Sequence, residues 1–214
     1  MIIKGYKSMK IYFPSCNFTK SSNKTSKKIR DYFKERMLVE GCCLYNSKEY
    51  HNEDIGYVMC QACRETLEDK ITVQSIYEYI DQDDSFVYPN YYQQKMYFVD
   101  CFRDCNHDEI HQATRNLLKK MNIDIIEIED NKEKSRYCGT LHYETQDLYL
   151  LEQLKQYPHT KISKLPEDLQ ILLMKDFVKR FDQDYPIIVD CNRCKKGIIM
   201  GGGNVIHLAE LLFK

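Results

Sequence analysis

The chain has 214 residues, of which 43% are hydrophobic and 29% are charged, and its formal net charge is −1 at pH 7. These values are typical of a globular protein with one domain or two small ones, and the balanced charge argues against a general affinity for nucleic acid or anionic membranes. No apolar run approaches the roughly 20 residues that span a bilayer, and the amino terminus lacks the apolar segment of a signal peptide. We therefore predict a cytoplasmic protein with no membrane span.

The first half of the chain has the apolar pattern of alternating strands and helices. Residues at helical spacing predict helices, and short apolar runs bounded by polar or turn residues predict strands. Acidic residues at 81–84, followed by Pro89 and Asn90, indicate a linker, which divides the chain into halves at 1–90 and 91–214. The predicted elements are a strand at 10–13, a helix at 29–37, a strand at 55–59, a helix from 64 onward and a short helix at 72–80 that Thr72 caps.

The second half repeats this order. After a strand, a helix and a second strand, an insertion carries an apolar stripe at helical spacing, and a further strand follows it. The alternation predicts an α/β fold of two pseudo-symmetric halves, each with a small, mostly parallel sheet flanked by helices. The predicted elements are strands at 96–99, 123–128 and 187–189, helices at 110–121 and 205–212, and an insertion helix whose stripe is Leu169, Leu172, Leu173, Phe177 and Phe181.

Ten cysteines are a high number for a chain without an export signal. Because the cytosol disfavours structural disulfides, clustered Cys-x-x-Cys motifs in such a chain indicate metal binding or redox chemistry. Each half places a short apolar run directly before Cys-x-x-Cys, with other cysteines upstream. In parallel sheets, ligands bind at the carboxyl ends of strands, where several of these cysteines fall. The candidate ligands are Cys16, Cys42, Cys43, Cys60 and Cys63 in the first half and Cys101, Cys138, Cys191 and Cys194 in the second.

Thiolate ligands suit zinc and iron–sulfur clusters equally well. The adjacent pair Cys42-Cys43 favours a cluster in the first half, because neighbouring thiolates more easily bind two irons than chelate one ion. Five cysteines also exceed what a closed tetrahedral zinc site uses. The alternative is that one member of the pair is a buried free thiol. In the second half Cys105 is an extra cysteine, which could substitute for the missing thiolate or simply lie in the core, and we favour the core.

The pattern Cys…Cys-Cys…Cys-x-x-Cys, present twice, resembles the cysteine-rich CCG domain family, which includes an iron–sulfur component of heterodisulfide reductase. The resemblance covers nearly the whole chain and extends to Tyr137-Cys138-Gly139 and to the glycines before the last helix. It implies a noncubane [4Fe-4S] cluster on the five cysteines of the first half, and a [4Fe-4S] cluster or zinc in the second. The chain departs from the family where Leu44 follows Cys43 in place of glycine, and where the second half lacks one cysteine of the pair.

The resemblance implies an iron–sulfur protein that transfers electrons to a small disulfide or thiol substrate, with catalytic residues that the pattern does not identify. The chain lacks a ferredoxin-type cysteine module, so a separate flavoprotein or ferredoxin would supply the electrons. Two alternatives remain open: a non-catalytic electron-transfer subunit of a flavoprotein complex, and a zinc-stabilised binding module. The lysines from 20 to 28 form either a solvated face or a docking patch for an acidic redox partner. We interpret His51, His111 and His142 as surface residues or neighbours of ligands.

Overall fold

The computed structural model describes residues 8–45 and 48–214. They form two compact units: the first holds the described residues up to Phe86 together with Phe213 and Lys214, and the second is Val87–Leu212. Each unit contains a four-stranded sheet whose strands are all parallel. The α/β fold with two similar halves, predicted from the alternation of strands and helices, is confirmed.

The first unit has its sheet in the order β2-β1-β3-β4. Parallel neighbours need a crossover between them, and the helices of the unit supply these connections. The elements are β1 (Lys10–Phe13), α1 (Cys16–Ser21), α2 (Asn23–Lys34), β2 (Leu38–Val39), β3 (Ile55–Val58), α3 (Gln61–Leu67), β4 (Thr72–Ser75) and α4 (Ile76–Asp81).

The second unit repeats this topology with the order β6-β5-β7-β8, in which β5 and β7 occupy the places of β1 and β3. The main difference is the insertion between β6 and β7, which carries two helices. The elements are β5 (Gln94–Val99), α5 (Asp108–Lys120), β6 (Ile123–Glu127), α6 (Leu148–Leu154), α7 (Glu167–Val178), β7 (Ile187–Val189), α8 (Asn192–Met200), β8 (Val205–His207) and α9 (Leu208–Leu212).

Two predicted helices begin as edge strands instead. Residues 72–75 form β4, and Ser75, not Thr72, caps the helix that follows, with a capping box completed by Glu78. Residues 205–207 likewise form β8, which pairs with β7 before α9 begins. Such short strands carry little local signal, because pairing with a neighbouring strand decides their conformation.

Two further predictions about helices were wrong in detail. The helix predicted at 29–37 runs from Asn23 to Lys34, so most of the polar stretch before it is helical, with Ser26, Ile29 and Phe33 on the buried face. Leu172 is 42% exposed and lies outside the buried stripe of α7. The stripe instead follows Leu169, Leu173 and Phe177, which are spaced four residues apart and share one helix face.

Residues from the far end of the chain complete the first unit. The ring of Phe213 lies edge-to-face with the rings of Tyr32 and Phe86, at centroid distances of 5.6 Å and 5.4 Å. Lys28 Nζ donates a hydrogen bond to the carbonyl oxygen of Lys214 at 2.6 Å. The first unit is therefore built from two separate stretches of sequence.

A hydrogen-bonded carboxylate lies beside this aromatic group. Burial by itself would raise the pKa of Asp83, but hydrogen bonds from Ser85, Tyr32 and Arg36 outweigh it and hold that pKa below its usual value. Arg36 Nε donates to Asp83 at 3.1 Å, and the amide of Ser85 donates at 2.9 Å. Ionised Asp83 therefore stabilises the folded first unit.

Candidate metal centres

Four of the cysteines lie at the carboxyl ends of strands, as the sequence predicts. Cys16 follows β1 and opens α1, and Cys101 follows β5. Cys60 and Cys191 are the N-cap residues of α3 and α8, directly after β3 and β7. The second cysteine of each Cys-x-x-Cys then falls in the first turn of its helix. None of the ten cysteines, all of which lie in the described ranges, forms a disulfide.

Four sulfur atoms of the second unit meet at one point. The Sγ atoms of Cys101, Cys138, Cys191 and Cys194, here called the quartet, all lie within 4.8 Å of one another. The Sγ atoms of Cys101 and Cys138 are 3.4 Å apart. Three of these residues are buried and Cys191 is half-buried. Four converging thiols at this spacing could hold a metal ion.

The loop that carries Cys138 is fixed against two helices. The ring of Tyr137 stacks on Phe177 of α7 with centroids 3.6 Å apart, and its hydroxyl donates to the carbonyl oxygen of Cys194 at 3.3 Å. Gly139 has a φ of +54° and lies against the first turns of α8, where a side chain would meet the Arg193 carbonyl. The glycine after Cys138 thus allows this loop to approach the helix that carries Cys194.

A buried ion pair anchors the strand end that precedes Cys101. Arg115 of α5 donates two hydrogen bonds to the Asp100 carboxylate, at 3.0 Å and 2.6 Å. The amide of Lys132 also donates to Asp100, at 2.9 Å. These hydrogen bonds tie a helix and a loop to the end of β5.

Hydrogen bonds among the quartet thiols shift their pKa values in opposite directions. Hydrogen bonds from Cys101, Cys191 and Cys194 lower the pKa of Cys138. The pKa of Cys101 is raised well above its usual value by its hydrogen bond to Cys138, and burial raises that of Cys194. Four thiolates this close together and largely buried would be strongly unfavourable without a cation, whereas a divalent ion removes their repulsion and displaces the protons. The chemistry of the donor set therefore fits a bound metal.

The five cysteines of the first unit are arranged differently, in a series of contacts that we call the thiol row. Cys16 Sγ lies 3.6 Å from Cys42 Sγ. Cys43 contacts both Cys42 and Cys63, and Cys63 contacts Cys60. Within the described residues, only the quartet has three or more ligand groups gathered around one point. The thiol row thus presents five sulfur atoms in sequence rather than a compact tetrahedron.

The members of the thiol row differ in exposure and acidity. Cys16 is exposed, whereas Cys43 and Cys63 are buried. A hydrogen bond from the Cys63 thiol lowers the pKa of Cys43 to about 7, and the same contact raises that of Cys63. This shift favours the thiolate of Cys43, which is the form that binds metals.

Other candidate residues lie outside both sets. Cys105 is half-exposed and lines a polar cavity with Arg136 and Arg180, so the core position that we favoured for it was wrong. It directly follows a short helical turn and lies on no strand or helix that packs into the interior. His51 is exposed, and His142 stacks on Phe102 with centroids 3.9 Å apart.

Two histidines are buried. His111 is a buried residue of α5 and is therefore not a surface residue. It is also not a member of the quartet. Sequence reasoning overlooked His207 at the end of β8, where burial lowers its pKa to about 4. The apolar residues Val205 and Ile206 directly before it were the sequence signal that could have indicated a buried position for His207.

No protein-family profile matches the chain, and no curated protein matches it. Four chains among the solved structures match. One is the glutamate racemase isoform RacE1 from Bacillus anthracis, at 8% sequence identity and a TM-score of 0.35, over 97% of this chain and 79% of that chain. Membership of the CCG domain family stays a prediction. No helix in the described ranges is long and apolar enough to cross a membrane.

Proposed function

We propose that the chain is a metalloprotein with two different centres. The quartet binds one tetrahedral metal ion, and the thiol row binds an iron–sulfur cluster that passes electrons to a small disulfide. The observation that carries this proposal is the contrast in sulfur geometry between the two units: four sulfurs converge in the second, and five form an extended series in the first.

The spacing of the quartet favours a single ion. Zinc–sulfur bonds of about 2.3 Å in a tetrahedron place the sulfurs about 3.8 Å apart. The quartet has one separation of 3.4 Å and none above 4.8 Å. A four-iron cube holds its thiolates much further apart, because each binds a different iron. Of the two cofactors expected for the second half, zinc therefore fits better than a [4Fe-4S] cluster.

The thiol row favours a centre with several metal ions. Five thiols exceed the four positions of a closed zinc site, and the adjacent Cys42 and Cys43 contact different partners, Cys16 and Cys63. The noncubane [4Fe-4S] cluster implied by the CCG resemblance meets these requirements. Such a cluster supplies reversible one-electron transfer when bound. The cysteines hold it, and the exposed end at Cys16 leaves an approach for a substrate.

The reaction would be the reduction of a disulfide at this exposed end. Two electrons and two protons convert one disulfide into two thiols, and both electrons must come from a separate flavoprotein or ferredoxin. The role of Cys16 and Cys42 is to keep the centre at the surface, whereas Cys43 and Cys63 fix its inner side away from water.

Metal analysis of anaerobically purified protein tests the proposal. We expect one zinc per chain together with iron and inorganic sulfide. Cys42→Ser should lose iron and keep zinc, and Cys138→Ser should lose zinc and keep iron. The iron-containing protein should also oxidise reduced methyl viologen when cystine is added, and Cys42→Ser should not.

A zinc-stabilised binding module is the second candidate, because the quartet alone accounts for a structural zinc ion. It predicts a colourless protein after anaerobic purification, with no iron and no viologen oxidation. That result would overturn the redox proposal and leave the quartet assignment intact. Iron in the thiol row with no turnover of cystine would instead favour an electron-transfer subunit.

A further inference from the structure

A basic surface follows directly after the first cysteine of the thiol row. Between Cys16 and Arg30 the chain has five cationic side chains and no acidic one, and all five are exposed. They lie on α1 and α2, whose opposite faces pack into the first unit. This basic face consists of Lys20, Lys24, Lys27, Lys28 and Arg30.

Three cations of the basic face have no ion-pair partner among the described residues. Further along α2, Lys34 pairs with Asp31 at 3.3 Å. Lys20, Lys24 and Lys27, by contrast, form no ion pair with any described residue. Like charges gathered on one surface repel one another and cost stability, while they attract an anionic partner. The unpaired charges therefore indicate a surface that meets a negatively charged molecule.

The basic face adjoins the exposed end of the thiol row. Lys20 is one helical turn beyond Cys16 on α1, and residues four apart lie on the same side of a helix. Next to Cys43 in sequence, Leu44 is 67% exposed and Tyr45 is 89% exposed. Protein interfaces combine such apolar and aromatic side chains with a charged rim, which nucleic acids and lipid headgroups do not require.

We propose that an acidic electron-donor protein of the ferredoxin type docks here, with its acidic surface on the basic face and its apolar contacts on Leu44 and Tyr45. This inference rests on the proposed redox role of the thiol row. One electron leaves the reduced iron–sulfur cluster of the donor and enters the centre held by the thiol row, and no covalent bond forms or breaks. The cations steer the donor so that its cluster approaches Cys16 rather than another surface.

Charge reversal on the full chain tests the proposal. The patch variant combines Lys20→Glu, Lys24→Glu and Lys27→Glu. The control variant combines Lys161→Glu, Lys164→Glu and Lys175→Glu, which are exposed lysines of the second unit and change the net charge equally. Stopped-flow absorption follows reduction of each protein by a reduced, acidic [2Fe-2S] ferredoxin and, separately, by dithionite.

We expect the ferredoxin to reduce the patch variant at least about tenfold more slowly at low ionic strength, and the wild-type rate to fall as salt is added. The control variant should react like wild type, and dithionite should reduce all three alike. Equal rates of patch variant and wild type with ferredoxin would overturn the proposal, as would a wild-type rate that salt leaves unchanged.

Direct binding separates this proposal from the proposed function. If dithionite reduces none of the proteins, the redox role of the thiol row fails, and ferredoxin binding measured by fluorescence anisotropy then decides the docking surface. Weaker binding by the patch variant and by Tyr45→Ser, but not by the control Tyr149→Ser, which changes an exposed tyrosine of the second unit, would support it. Lysine-dependent binding to phosphatidylserine vesicles or duplex DNA, with ferredoxin binding unchanged by the patch variant, would overturn it.

Discussion

Replacing Gly197 by alanine should force α8 away from the loop that carries Cys138. A Cβ atom at this position would lie 2.4 Å from the Tyr137 hydroxyl, 2.6 Å from Gly139 Cα and 2.9 Å from Met174 Sδ. Met174 has a flexible side chain that is able to turn aside. Gly139 Cα is backbone, and Tyr137 is held by its stacking on Phe177, so these two contacts are relieved only when the loop moves.

The expected loss of stability follows from two opposed effects. Alanine in place of glycine inside a helix stabilises by about 1 kcal/mol. Overpacking of a tight contact typically costs about 1–3 kcal/mol, and backbone contacts lie at the upper end of that range. We therefore expect Gly197→Ala to lower the free energy of unfolding of the second unit by about 1–2 kcal/mol. Because the loop shift also separates Cys138 from Cys194, zinc affinity should fall about tenfold or more.

Guanidinium denaturation in the presence of a chelator measures the stability loss, and competition with a chromophoric chelator measures zinc affinity. Lys196→Ala is the matched control, since it changes an exposed neighbour on the same helix and should leave both quantities near wild type. A Gly197→Ala protein as stable as wild type, with unchanged zinc affinity, would refute the packing argument.

Three other changes have definite expected outcomes. Cys105→Ser should leave the metal content unchanged while Cys138→Ser removes zinc, which elemental analysis measures; zinc loss in both would place Cys105 in the site. Arg115→Met should destabilise the second unit by about 3–5 kcal/mol, because it leaves a buried carboxylate without its partner; a loss in denaturant unfolding below about 1 kcal/mol would contradict this. Stability of the first unit should fall as pH drops below about 4, where the unfolded Asp83 takes up a proton that the folded, low-pKa carboxylate resists. Asp83→Asn should weaken that dependence in acid titrations, and an unchanged profile would count against the assignment.

The fold was predictable where the local pattern and the tertiary pairing agree. The strands β1, β5 and β7 are short apolar runs in the interior of their sheets, and sequence analysis placed them closely. It missed β4 and β8, which lie at sheet edges and have three or four residues each. Those residues are extended because they pair with β3 and β7, a fact that no window of local sequence contains.

The cysteine sets were also only partly predictable. Their placement at the carboxyl ends of strands follows from the parallel sheet, so both sets could be named from sequence. How tightly the sulfurs gather could not, because it depends on the loop around Cys138, whose approach to α8 requires Gly139 and Gly197 together. The half-exposed position of Cys105 was equally hidden, since the helical turn before it has only three residues and leaves no periodic signal.

The participation of Phe213 in the first unit has a consequence for biosynthesis. The segment from Val87 to Leu212 is continuous, so a ribosome delivers everything that unit needs in one stretch. The earlier segment emerges first but lacks an aromatic partner for Tyr32 and Phe86 until residue 213 has been added. The first unit, although most of it is made first, is thus completed only when residue 213 has been added, at about the same time as the second unit, whose α9 ends at Leu212.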